Sequence, residues 1–120
     1  MTYEYAVTVI HIVDGDTLDV TIDLGFRIHF EQRIRLYAVD TPERGQPGYA
    51  EATAMLHELT IGSPFPQQIT ARTVKPADKY GRWLASLSTP TCPDVAQAII
   101  DAGLGVAYFG GAKSPTIIVT

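Results

Sequence analysis

Leu18-Asp19-Val20-Thr21-Ile22-Asp23-Leu24 alternates apolar and polar residues without a break. In an extended chain, that places Leu18, Val20, Ile22 and Leu24 on one face and the carboxylates and threonine on the other, so the segment reads as a half-buried strand. Asp14-Gly15 precedes it and Gly25 follows it. The Asp-Gly pair is a strong turn signal, so residues 3–13, rich in β-branched and aromatic side chains, form a strand before that turn. Arg27 to Val39 forms a third strand after Gly25, hairpinned to the second.

Thr41 to Gly48 holds two prolines and two glycines and reads as a loop. Tyr49, Ala52, Leu56 and Leu59 then recur at helical spacing until Gly62 and Pro64 end the pattern. Gln68 to Val74 and Trp83 to Ser88 read as the fourth and fifth strands, joined by a turn at Asp78-Lys79-Tyr80-Gly81-Arg82. A second helix starts at Pro93, in the first helical position, and ends at Gly103, with Val95, Ile99 and Ala102 inward. Trp83 is expected in the core. Three strands, helix, two strands, helix is an α+β order, and five short strands suit a partly open β-barrel of the oligonucleotide-binding (OB-fold) kind with two helices.

With 120 residues, 46% of them apolar, the chain has room for one domain, residues 1–120, with a core over about 3–109 and a C-terminal tail over 110–120. One cysteine, Cys92, excludes an intrachain disulfide and a cysteine-rich zinc site. The apolar run from Ala6 to Val13 is too short to span a membrane, contains His11 and follows Glu4 rather than a basic segment. A cytoplasmic chain without leader or membrane span is therefore expected. Within the tail, Thr116-Ile-Ile-Val-Thr120 has strand composition, which leaves two readings, a strip covering a sheet edge or a dimer contact.

A net charge of −4 argues against a broad basic surface that holds nucleic acid by counterion release alone. The charges are unevenly distributed. Eight of thirteen acidic residues precede residue 44, while Arg33, Arg35, Arg72, Lys75, Lys79 and Arg82 occupy the middle. Four segments stand out: Val13-Asp14-Gly15-Asp16-Thr17, Ile34-Arg35-Leu36-Tyr37-Ala38-Val39-Asp40-Thr41-Pro42-Glu43, Lys79-Tyr80-Gly81-Arg82 and Val106-Ala107-Tyr108. Phosphodiester hydrolysis needs a cation to draw off charge, a carboxylate to handle water, and fixed positive donors on the phosphoryl oxygens. These segments supply each kind. Asp14-Gly15 alone remains readable as a plain hairpin turn.

Taken in this order, over about residues 8 to 108, the four segments resemble the staphylococcal nuclease (thermonuclease) family. The resemblance implies one Ca2+ ion held by Asp16, Asp40 and the Thr41 carbonyl, oxygen ligands of the type a hard cation prefers. It implies Glu43 as the residue that positions or deprotonates water, and Arg35 and Arg82 as the pair gripping the scissile phosphate, a task suited to the guanidinium fork. Lys79, Tyr80 and Tyr108 would contact the terminal phosphate and the base, with ring stacking giving tolerance of sequence. The implied activity is a calcium-dependent endonuclease acting on DNA and RNA. The alternative is a non-catalytic module of the same fold that binds nucleic acid or protein. Arg44-Gly45-Gln46-Pro47-Gly48-Tyr49 lacks the lysine cluster of the best-known members, and Gly110-Gly111 stands where a second tyrosine is expected.

Overall fold

A computed structural model describes residues 3–61, 69–76 and 81–108, with the side chains of residues 75 and 76 excepted. Its elements are β1 (Glu4–Asp14), β2 (Thr17–Asp23), β3 (His29–Leu36), β4 (Ala38–Asp40), α1 (Tyr49–Thr60), β5 (Ile69–Pro76), β6 (Trp83–Ser88), α2 (Val95–Asp101) and β7 (Val106–Tyr108). Five strands close into a barrel in the order β1-β2-β3-β6-β5, while β4 and β7 form a separate two-stranded sheet. All barrel pairs are antiparallel except β3 with β6. The α+β, five-stranded barrel with two helices is thus the architecture observed.

The alternation that opens β2 works as the pleat requires. Leu18 and Val20 are fully buried and join Val7, Ile34, Leu36, Ile69, Ala85 and Leu87 in the barrel core, with Ile22 packed against it. Leu24 departs from the expectation: it lies beyond the end of β2 and is exposed, because the hairpin leaves the barrel there. Helix α1 lays Ala52, Leu56 and Thr60, one per turn, on the core side and closes the β1 flank. Tyr49 and Leu59 are half-buried. Its expected stop at Gly62 and Pro64, like Gln68 at the expected start of the fourth strand, lies outside the described residues.

Helix α2 differs from expectation at both ends. Pro93 is not its first residue; Asp94 caps it, the side chain accepting the Gln97 N–H at 3.1 Å, and Val95 begins the helix. Asp94 provides the hydrogen bond that a proline start would lack. The buried face is Val95, Ala96 and Ile99, whereas Ala102 is the exposed C-cap.

The expected third strand is broken twice. Gly25, Phe26 and Arg27 have φ of 80°, 55° and 65°, so Arg27 belongs to the hairpin turn and β3 begins at His29. Ala38, with φ 73°, bends the chain out of the barrel after Leu36, and β4 departs to pair with β7. A left-handed L-residue costs roughly 1–2 kcal/mol. At Ala38 that conformation turns Asp40 and Thr41 back over the barrel end.

Candidate active site

Asp14, Asp16, Arg35, Asp40 and Thr41 meet at the barrel end where β1 turns into β2 and β3 bends into β4. Asp16 and Asp40 are only 7% and 8% exposed. Buried carboxylates need partners. Asp16 Oδ2 accepts from the Thr41 N–H and the Thr41 hydroxyl, each at 3.0 Å, and Asp16 Oδ1 accepts from the Thr17 hydroxyl at 3.0 Å. Arg35 Nη2 lies 3.2 Å from Asp40 Oδ1 and 3.5 Å from Asp16 Oδ2. Its other terminal nitrogen, Nη1, donates to the Leu36 carbonyl at 2.8 Å and the Val39 carbonyl at 2.7 Å. The guanidinium is therefore fixed from behind by backbone and faces the two carboxylates.

Gly15 is required at this turn by space. A Cβ there would lie 2.7 Å from the Ala52 Cβ and 2.8 Å from the Thr41 hydroxyl oxygen. The missing side chain lets α1 and the Thr41 loop close over the Asp14–Thr17 turn. Gly105 does the same opposite, where a Cβ would lie 2.8 Å from Val39 Cγ2 and 3.2 Å from the Asp40 carbonyl.

Asp14, expected from its Asp-Gly pair as a plain turn residue, is a member of the site. Its Oδ1 accepts the Asp16 N–H at 3.1 Å, and the two carboxyls interact. Burial, then the hydrogen bond and charge of Asp16, push the Asp14 pKa up to about 6. Asp16 moves the other way. Burial alone would raise it, but the hydrogen bond with Asp14, the charge of Arg35 and the two Thr41 bonds together hold it below the usual carboxylate value. The i, i+2 spacing of Asp14 and Asp16 across a glycine was the signal available.

Glu43 is exposed, on a turn held in both directions by Gln46: its N–H donates to Gln46 Oε1 and its carbonyl accepts from the Gln46 N–H, both at 2.9 Å. That turn borders a cleft of about 600 Å3 lined by Asp40, Pro42, Gln46, Glu51, Leu104 and Val106. Arg82 immediately precedes β6. Since Arg35 pairs with Leu84 in a parallel register, Arg82 stands two residues before that partner, just outside β6 and toward the level of Arg33. Tyr108 ends β7 opposite Ala38, at the bend between Arg35 and Asp40. Lys79 and Tyr80 lie outside the described residues, as does the tail over 110–120.

The donor set around Asp14, Asp16 and Asp40 is all oxygen and carries three acidic groups against one guanidinium, which suits a hard cation. Among the described residues, no three His, Cys, Asp or Glu side chains are placed to hold a metal ion by themselves, so a ligand set here would draw on the Thr41 oxygens as well. None of the described helices is long and apolar enough to cross a membrane.

The profile described as staphylococcal nuclease homologue matches residues 33–116. A micrococcal nuclease of Shigella flexneri is 37% identical over 82 residues, covering 68% of this chain and 41% of that protein. An uncharacterized endonuclease of Escherichia coli O157:H7 is 32% identical over 100 residues, covering 83% of this chain and 59% of its own length. Protein ParB of Escherichia coli is 31% identical over 120 residues, covering 92% and 62% respectively. The chain therefore spans less than two thirds of the curated relatives it matches. The profile covers more than half of the chain, including the strand of Arg35, the loop of Asp40 to Glu43 and the start of β6, and on that ground the chain belongs to the staphylococcal nuclease homologue family.

Proposed function

We propose that this chain is a calcium-dependent nuclease that hydrolyses phosphodiester bonds in DNA and RNA with little sequence preference, cutting within the strand. The observation that carries the proposal is the pair of buried carboxylates, Asp16 and Asp40, facing one backbone-anchored guanidinium. Burying such groups in a small domain is costly even when they are paired, and arrangements of this kind cluster at functional sites. Relatives named micrococcal nuclease and endonuclease support the reaction class.

Asp16, Asp40 and the Thr41 carbonyl would hold one Ca2+. When bound, the ion would supply charge neutralisation to the phosphoryl oxygens. The rest falls to the chain. Thr41 and Thr17 fix the orientation of Asp16 through three hydrogen bonds, so its carboxylate does not have to be ordered on binding. Arg35, held by two carbonyls, offers an immobile donor to a phosphoryl oxygen as charge builds. Arg82, just before β6, supplies the second guanidinium. Glu43, exposed on the turn that borders the cleft, accepts the proton of the attacking water at a carboxylate oxygen; as the water oxygen bonds to phosphorus, the P–O bond to the leaving sugar oxygen breaks and that oxygen takes a proton from solvent. The cleft beside Asp40 and the ring of Tyr108 receive the sugar and base. Lys79 and Tyr80 complete this set as contacts to the terminal phosphate and base.

Release of acid-soluble nucleotides from denatured DNA tests the proposal, comparing calcium with chelator and wild type with Glu43→Ala. The expected result is calcium-dependent release that collapses in the variant. Folded wild type that releases nothing would contradict the proposal and favour a nucleic-acid- or protein-binding module.

A further inference from the structure

We propose that two copies of this chain pair edge to edge through residues 28–32, by antiparallel strand addition about a two-fold axis at Phe30. The β3 peptide groups point alternately toward β2 and away from it. Leu36 N–H donates to the Asp16 carbonyl at 2.8 Å and Leu24 N–H donates to the Ile28 carbonyl at 2.9 Å, at the two ends of one β2–β3 ladder. Even-numbered residues on this side of the hairpin therefore turn their peptide groups to β2, and His29, Glu31 and Arg33 turn theirs outward. Strand β6 meets β3 only at Ile34, Arg35 and Leu36 and does not reach the outward groups farther back. Gln32 covers Arg33 alone, its Nε2 donating to the Arg33 carbonyl at 2.9 Å and also to the Gly81 carbonyl. Among the described residues nothing pairs with the outward peptide groups of His29 and Glu31.

An open edge is usually blunted by charge, proline or a bulge. Here it is flanked by apolar side chains. Ile28 is 55% exposed, Phe30 54% and Phe26 98%. Phe30 also lines a cavity of about 340 Å3 at this mouth of the barrel with Tyr3, Leu24 and Trp83. The polar side chains along this edge select a second copy as occupant, since an imidazole can donate to a facing carboxylate. Pairing about Phe30 sets His29 opposite Glu31 of the second copy, and Glu31 opposite its His29, on one face. The other face carries Phe30 against Phe30 and Ile28 against Gln32. His29 and Glu31 are both outward residues, so these two pairs exchange their N–H and carbonyl groups reciprocally. A two-fold axis at Glu31 would instead set Glu31 against Glu31 and His29 against Arg33. Like charges opposite one another disfavour that register.

Sedimentation equilibrium of the full chain, from micromolar to millimolar concentration, should show twice the chain mass. Glu31→Pro removes an outward N–H and obstructs the approaching strand while leaving the β2 ladder intact, so it should weaken association at least about tenfold. Phe30→Cys in a Cys92→Ser background should cross-link on oxidation, because the two α-carbons of such a facing pair lie about 4.5 Å apart, within disulfide reach. Ile10→Cys, comparably exposed on β1, should not. If Glu31→Pro fails to fold by circular dichroism, the cysteine comparison decides. A monomer at every concentration would overturn the proposal. So would a dimer that Phe30→Cys does not cross-link, since the copies would then meet elsewhere, or a monomer whose edge takes up only a foreign extended peptide.

Discussion

The two ends of the barrel invert the usual distribution of polar and apolar groups. At the end formed by Asp14–Thr17, Arg35 and Asp40–Thr41, charged groups are buried and nearly every named polar atom has a partner within 3.5 Å. At the opposite mouth, Tyr3, Leu24, Phe26, Ile28, Phe30 and Trp83 are exposed although all are large and apolar. Burying charge and exposing aromatic surface both oppose folding, so each end marks a place where stability yields to interaction. The difference lies in kind. The carboxylate end is organised in advance by backbone and threonine bonds, as chemistry requires; the mouth offers loose surface that contacts with another chain would cover.

The largest effect expected from this contrast is at Arg35. Arg35→Lys keeps the charge but cannot span the Leu36 and Val39 carbonyls and the two carboxylates together. Steady-state kinetics on single-stranded DNA should show kcat lower by about 10²–10³, the loss typical of removing one fixed donor. A loss of less than tenfold would mean the anchored guanidinium does not serve the reaction.

Gly15→Ala should be next. Its Cβ meets Ala52 and Thr41 at under 3 Å, so either α1 or the Thr41 loop must move, at a cost of about 1–3 kcal/mol in urea unfolding. An unchanged midpoint would show that the turn has room to spare.

Titration gives a third test. Asp14 carries a folded-state pKa of about 6, above its ordinary 3.8, so its contribution to stability is full below the lower value and is lost as pH rises through the higher one. Asp16, with its pKa lowered, contributes in the opposite sense, but only as pH falls below its ordinary range. Without divalent metal, stability should therefore decline between about pH 4 and 6, and Asp14→Asn should flatten that decline and stabilise the protein at pH 7. A decline that survives in Asp14→Asn would assign it to another group.

The smallest effect is expected at the far mouth. Phe26 is 98% exposed and left-handed, so Phe26→Gly loses little packing and relieves backbone strain. Dilute protein should keep its thermal midpoint or gain up to about 1 kcal/mol. A clear loss would show that Phe26 packs within its own chain.

What the sequence made legible follows from what pattern encodes. Alternation at Leu18–Ile22 and helical spacing at Ala52 and Leu56 report burial, and both served. The residue types of Asp16, Arg35, Asp40 and Thr41 were legible because the resemblance fixed their order; the structure brings these four together. Pattern did not encode the left-handed turn at Ala38, since alanine carries no signal for it, and the split between β3 and β4 was lost with it. Trp83, expected in the core, is 38% exposed at the mouth because β6 begins there. Asp14 went unread for a related reason: Asp-Gly is common in plain turns, and only the closeness of Asp16 in space makes it part of a site.

The most direct test of the central claim, that the buried carboxylates form a cation site separate from the proton-handling residue, is a calorimetric calcium titration of wild type, Asp16→Ala and Glu43→Ala. Glu43→Ala is expected to bind calcium as wild type does, and Asp16→Ala to bind it much more weakly. Equal loss of binding in both variants, or undiminished binding in Asp16→Ala, would contradict that claim.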